Sequence, residues 1–326
     1  MATEGGTRAI VAALLANLGI AVTKFVAYLL THSSSMLAES IHSVADSGNQ
    51  ALLLVGGRRA TRAATPQHPF GYGRERYVYG FVVAIVLFSV GGLFALYEAW
   101  HKWAEPEPIE AWQWVPLVVL VVAIGLETFS FRTAIAESNR VRGQRSWVEF
   151  VRTAKAPELP VVLLEDFGAL LGLVFALFGV SLTLLTHDGR WDAAGTAMIG
   201  VLLVLIAAVL AVEMKSLLIG EGATREHVRA IEAALPGDGV DSVIHMKTLH
   251  LGPEELLVAA KIAVSARGTG DEIAAAIDAA ERRVRAAVPI ARVIYLEPDL
   301  REPATPSGDD RHDSGAPAQD GHAAGR

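Results

Sequence analysis

The sequence predicts an all-α six-helix transmembrane domain over residues 1–220, then a small α+β cytoplasmic domain over residues 221–300 and a disordered tail over residues 301–326. Three observations predict it. Before Gly220 the apolar residues gather into runs of roughly 20, the length that crosses a bilayer as helix. After Gly220 the pattern changes to short alternating runs, turn residues and amphipathic stretches. From about Pro303 the chain is Pro, Gly, Asp and His without apolar periodicity, a composition that cannot bury a core.

The spans run from Ala9 to Leu30, Ser35 to Val55, Val78 to Trp100, Trp114 to Ala134, Leu159 to Leu185 and Ala193 to Leu218. The loop after the second carries Arg58, Arg59, Arg62, Arg74 and Arg76. The loop after the fourth carries Arg140, Arg142, Arg145, Arg152 and Lys155. The other connections are basic-poor, so the positive-inside rule places both termini in the cytoplasm, and an even number of spans agrees. An integral multi-pass protein of a bacterial inner or plasma membrane is expected, in contact with lipid. No cleavable signal pattern precedes the first span.

In the soluble part, Thr224 to Leu235 predicts a helix. Val240 to Leu251 and Leu256 to Ser265 predict strands joined at Gly252-Pro253. Asp271 to Val288 is an Ala- and Arg-rich amphipathic helix with acidic residues at its start, and Ala291 to Leu296 a last short strand. The order α-β-β-α-β suits helices on one face of a sheet. The face Arg282, Arg283, Arg285 reads as solvated, or as meeting anionic headgroups.

Composition excludes several functions. A net charge of −7 argues against nucleic acid. The absence of cysteine excludes disulfides, thiolate zinc sites and cysteine nucleophiles. No cofactor-binding motif is present: Gly71-x-Gly73 does not follow a strand, and reads as a tight turn into the third span.

The chemistry lies inside the membrane stretches. His42 and Asp46 are four residues apart, hence on one helical face about 5–6 Å from each other. Glu39 and Asn49 share that face. The fifth span carries Glu165 and Asp166. Ionisable groups in a bilayer cost several kcal/mol unless they pair, line water or hold an ion, and imidazole with carboxylate is what a divalent metal such as zinc takes. In the fifth span Gly168, Ala169, Gly172, Ala176 and Gly179 form a small-residue stripe that permits close helix approach. Glu165 lies on it and Asp166 about 100° round the helix. Glu165 is therefore the favoured inward ligand, with Asp166 a second candidate or an outer partner. Glu127 in the fourth span is a further acid well inside its apolar stretch.

These segments resemble the cation diffusion facilitator family. The resemblance rests on SSSMLAESIHSVADSGNQALLL, HPFGYGRERYVYGFVVAIVLFSVGGLFALYE, LLEDFGALLGL and KSLLIGEGA, and is strongest to the branch that includes animal mitochondrial zinc transporters. It implies a six-helix membrane domain, a ferredoxin-like or metallochaperone-like cytoplasmic domain, a homodimer, and antiport of a divalent cation against protons. It also implies a tetrahedral site with two ligands from the second helix and two from the fifth, each pair four residues apart. His42 and Asp46 match the first pair. The fifth helix departs, because Val161 and Val162 stand four residues before Glu165 and Asp166. The fourth ligand is then Asp166, Asn49, a bidentate carboxylate or water. Zinc is the expected cargo, since imidazole suits zinc, cobalt and nickel, and all-oxygen sites suit manganese.

Two weaker metal positions follow from the same resemblance. His68 matches a peripheral ligand, with Tyr72 and Thr65 where His and Asp often lie. His245 matches a cytoplasmic ligand whose partners are mostly missing, Tyr295 standing where a His is common. His245 and His250 are five apart and so face opposite sides of the strand. His312 and His322 fall in the tail. An intramembrane metalloprotease would need His-Glu-x-x-His, which is absent; a non-transporting membrane sensor or scaffold remains the rival reading.

Overall fold

The computed structural model describes residues 2–31, 34–106 and 114–300, without the side chains of residues 2–6, 27, 28, 30, 31, 34–42 and 45. The tail expected over residues 301–326 lies outside the described residues. The membrane domain is built of α1 (Ala2–Thr31), α2 (Ser34–Ala60), α3 (Glu75–Val86), a π-helical segment (Leu87–Leu93), α4 (Phe94–Ala104), α5 (Trp114–Arg142), a short α6 (Trp147–Thr153), α7 (Glu158–Thr186) and α8 (Arg190–Ile219). Every predicted span is helical, and most run longer than their apolar stretch. Helix α5 continues eight residues past Ala134, so Arg140 and Arg142 sit in its last turn and not in a loop.

Among the described residues five helices are long and apolar enough to cross a membrane: α1 over Thr7–Val26, the continuous α3–π–α4 rod, α5, α7 and α8. Helix α2 is as long but is interrupted by Glu39, His42, Asp46, Arg58 and Arg59. The long helices close into a ring. Helix α1 packs on α2 and α5, α5 on α7, α7 on α8, α8 on the α3–π–α4 rod, and α3 on α2. The ring is inside-out relative to a soluble bundle. Leu15, Val22, Phe178, Leu205 and Val212 face outward and exposed, whereas Asn17, Asn49, Gln50, Glu127 and Ser130 are buried. Lipid-facing apolar surface around a polar core is what a bilayer imposes.

Two features were not legible in the pattern. The π-helical turn holds Gly91 and Gly92, where α8 comes so close that a Cβ on Gly92 would stand 2.7 Å from a Val204 methyl. Helix α6 begins at Ser146, whose hydroxyl accepts the Glu149 amide.

The C-terminal domain runs α9 (Arg225–Ala234), β1 (Val240–Gly252), β2 (Glu255–Val264), α10 (Gly270–Ala287) and β3 (Ala291–Asp299). Thr224 caps α9, and Thr269 with Glu272 forms a capping box on α10. Strand β1 pairs antiparallel with β2, and β2 parallel with β3. Leu256, Val258, Ala260 and Ile262 alternate into one core with Ile231 and Leu235 of α9 and Ala280 and Val284 of α10. The sheet has three strands among the described residues, not the four of a β-α-β-β-α-β ferredoxin unit. The chain passes from α8 to α9 in five residues, leaving no room for a first strand. The last strand then pairs directly, in parallel, with β2. Arg283 is not solvated as expected: its guanidinium donates to the Ala234 and Leu235 carbonyls at 2.9 and 2.8 Å and closes the C-terminus of α9.

The domains meet backbone to backbone. A Cβ on Gly73 would lie 2.8 Å from the Leu251 oxygen and 3.0 Å from Gly252 Cα. The His250 amide donates to the Glu221 carbonyl (2.8 Å) and the Ala223 amide to Thr248 Oγ1 (2.9 Å). Lys155, before α7, pairs with Glu221. Arg76 of α3 pairs with Glu158, the first residue of α7, at 3.3 Å. Gly73→Val should therefore push β1 off the 71–74 loop. A stability loss of roughly 1–3 kcal/mol is expected from overpacking, with faster amide exchange in residues 220–224 by hydrogen-exchange mass spectrometry.

Candidate metal site

The polar core is assembled by α1, α2, α5 and α7. Helix α7 enters it through the buried carboxylates Glu165 and Asp166. Adjacent residues on a helix point in different directions, and the two acids find different partners. Glu165 faces α2, where Asn49 Nδ2 donates to Oε1 at 3.0 Å and Gln50 Nε2 to Oε2 at 2.8 Å. Asn17 of α1 in turn donates to Gln50 Oε1 at 3.3 Å. Asp166 faces α5, accepting from Ser130 Oγ at 2.6 Å. Glu127 of α5 is buried as well, and Lys24 of α1 is buried with its ammonium donating to Ser43 Oγ of α2 at 3.1 Å.

The small-residue stripe does not do what its position implied. Gly168, Gly172 and Gly179 pack on α8, where their Cβ positions would meet Ile206, Ile199 and the Trp191 carbonyl. The stripe joins α7 to α8, and the side-chain amides of α2, not the stripe, hold Glu165 inward. Val161 and Val162 are buried and offer no ligand.

His42 lies on α2 one turn before Asp46, and its side chain is outside the described residues. Among the described residues, no three His, Cys, Asp or Glu side chains converge within reach of one metal ion. One acceptor stands ready, however: Asn49 Oδ1 is buried without a hydrogen-bond partner, on the same side chain that donates to Glu165. A buried carbonyl oxygen left unpaired is costly unless something cationic or donating reaches it.

The peripheral positions behave as structure. His68 is exposed and stacks on Tyr72 (centroids 4.6 Å apart), while Thr65 Oγ1 lies 3.1 Å from the Tyr72 hydroxyl. Gly71 takes φ 77°, so the segment is the tight turn that its glycines predict. His245 is exposed opposite Lys261. His250 is buried on the opposite side, its Nδ1 3.2 Å from the Gly252 carbonyl.

Sequence reasoning left out Asn17, Lys24, Gln50 and Ser130. Each is a polar residue inside an apolar span, and that was the available signal; Lys24, a cation in the C-terminal part of the first span, was the plainest.

Residues 10–219 match the cation efflux transmembrane domain. The chain belongs to the cation efflux family. It is 31% identical over 242 residues to the mitochondrial proton-coupled zinc antiporter SLC30A9 of Xenopus laevis, covering 73% of this chain and 43% of that protein. It is 28% identical over 259 residues to metal tolerance protein C4 of Arabidopsis thaliana, 78% of this chain and 56% of that one. Zinc transporter ZitB of Pectobacterium atrosepticum is 28% identical over 120 residues, 37% of this chain and 36% of that one. The chain spans less than half the length of the antiporter it matches. Family and apolar helices together make it a multi-pass membrane protein.

Two predictions follow from the geometry. Gln50→Leu leaves Glu165 Oε2 buried without its donor, and should cost roughly 1–3 kcal/mol in thermal unfolding of the reconstituted protein. For His250, burial holds the imidazole below its ordinary value. The unfolded chain then binds the extra proton first, so stability is full above about pH 6.5 and falls as pH drops through the folded value. Unfolding of the C-terminal domain should show this acid-side loss setting in below about pH 6.5, and His250→Asn should flatten it.

Proposed function

We propose that this protein exports a divalent metal cation, zinc first, by proton-coupled antiport through a site between α2 and α7. The observation that supports it is the buried Glu165–Asp166 pair, with Glu165 turned onto α2, the helix of His42 and Asp46. Helix α2 is taken as the sixth membrane crossing; its polar residues then face the ring interior. Both termini are cytoplasmic and the membrane is a bacterial inner or plasma membrane, oriented by the basic loops. The protein works as a homodimer.

The ligands are His42, Asp46 and Glu165, with the unpaired Asn49 oxygen closing a four-coordinate set. Asp166, turned toward Ser130, orients the set from behind and is the alternative fourth ligand. The imidazole favours zinc over manganese. Export follows from competition. Ligands must be deprotonated to bind metal, so on the proton-rich side protons displace the ion and the protonated site returns. The bundle need offer only two arrangements of α2 against α7, because metal and protons each shift their balance.

The test is uptake into sealed proteoliposomes with an acidic interior. Zinc should accumulate, collapse when the proton gradient is dissipated, and fall at least about tenfold in Asp46→Ala. Equal flux in both proteins would place the site elsewhere. No flux of zinc, manganese, cobalt or iron by the folded parent would make the protein a membrane sensor or scaffold.

A further inference from the structure

Lys24 lies on α1 within an apolar span, and its side chain is only 7% exposed. Among the described residues of the membrane domain it is the only buried cationic side chain. Its ammonium donates to Ser43 Oγ at 3.1 Å. Ser43 is three residues before Asp46, hence on the same face of α2. Glu127 of α5, a helix that packs on α1, is buried as well. A lysine at this depth is expensive unless the surrounding charge requires it. Four carboxylates drawn from three helices supply that requirement.

We propose that Lys24 is a tethered counter-cation of the transport core, a positioning residue that balances the carboxylates when the site is empty and opposes the metal when it arrives. The inference rests on the transport reading above. A fixed positive charge beside the ligands weakens metal binding by Coulomb repulsion and so speeds release of the ion on the far side. Loose binding with fast release is the combination a carrier requires. An apolar or neutral residue at this position would trap the metal.

The test compares Lys24→Gln, Lys24→Arg, Ser43→Ala and Asp46→Ala with the parent, each full-length in lipid nanodiscs at one pH. Zinc binding is measured by titration calorimetry, and zinc flux in proteoliposomes. Lys24→Gln is expected to bind zinc at least about tenfold more tightly, with KM and kcat both lowered. Lys24→Arg keeps the charge and should behave as the parent. Ser43→Ala keeps the charge but loosens its position, so its affinity should move the same way by less, which serves if Lys24→Gln does not fold. A purely structural lysine would give lost protein or lower kcat at unchanged affinity. Unchanged or weaker zinc binding in Lys24→Gln and Ser43→Ala, with Asp46→Ala still abolishing it, overturns the Lys24 role and spares the site. Parent-like binding in Asp46→Ala overturns both.

Discussion

Two adjacent carboxylates in the middle of an apolar helix set the terms for the rest of the membrane domain. Glu165 and Asp166 leave α7 in directions about 100° apart, so no single neighbour can satisfy both. Unsatisfied, each would cost several kcal/mol. Helix α2 answers one with two side-chain amides, and α5 answers the other with a hydroxyl. Asn17 extends the first network to α1. The polar core is thus a chain of obligations that starts at α7 and draws three further helices around it. Close glycine packing on α8 fixes α7 from its other side.

The same helix is also where the C-terminal domain takes hold. Glu158 at the start of α7 pairs with Arg76 of α3, and Lys155 just before it pairs with Glu221 of the α8–α9 linker. Burial alone would raise the Glu221 carboxyl, but hydrogen bonds from Lys155 and Ser216 and the Lys155 charge outweigh it and hold the group below its ordinary value. The Glu221 carbonyl binds the His250 amide of β1. Movement of the C-terminal domain therefore bears on the end of α7, two turns from Glu165. A path of packed backbone and ion pairs connects the two domains; the Gly73–Gly252 approach leaves little slack in it.

Much of this was legible in the chain. The spans, the soluble α-β-β-α-β order and the change at Gly220 all came from hydrophobic period and length. His42, Asp46, Glu165 and Asp166 stood out because charge is rare where apolar residues run for roughly 20 positions. Helix ends were less legible. Helices α5 and α2 continue past their apolar stretches because helical hydrogen bonding does not stop where lipid does. The π turn at Leu87–Leu93 has no periodic signature, being one extra residue accommodated by the approach of α8. The three strands were legible one by one; their order in the sheet, with β2 between β1 and β3, came from the tertiary structure.

The sequence by itself determined where the long apolar helices lie and which residues within them are too polar to sit there without a partner. Those are local properties, set by each residue and its neighbours within a turn or two. The tertiary structure alone decided who meets whom. Asn49 and Glu165 are 116 residues apart, and Lys24 and Ser43 lie on different helices. The glycine stripe was visible, but that its partner is α8 was not. Pairings of this kind depend on the ring closing in one order, because each buried polar group must find its donor or acceptor before the apolar faces can turn outward.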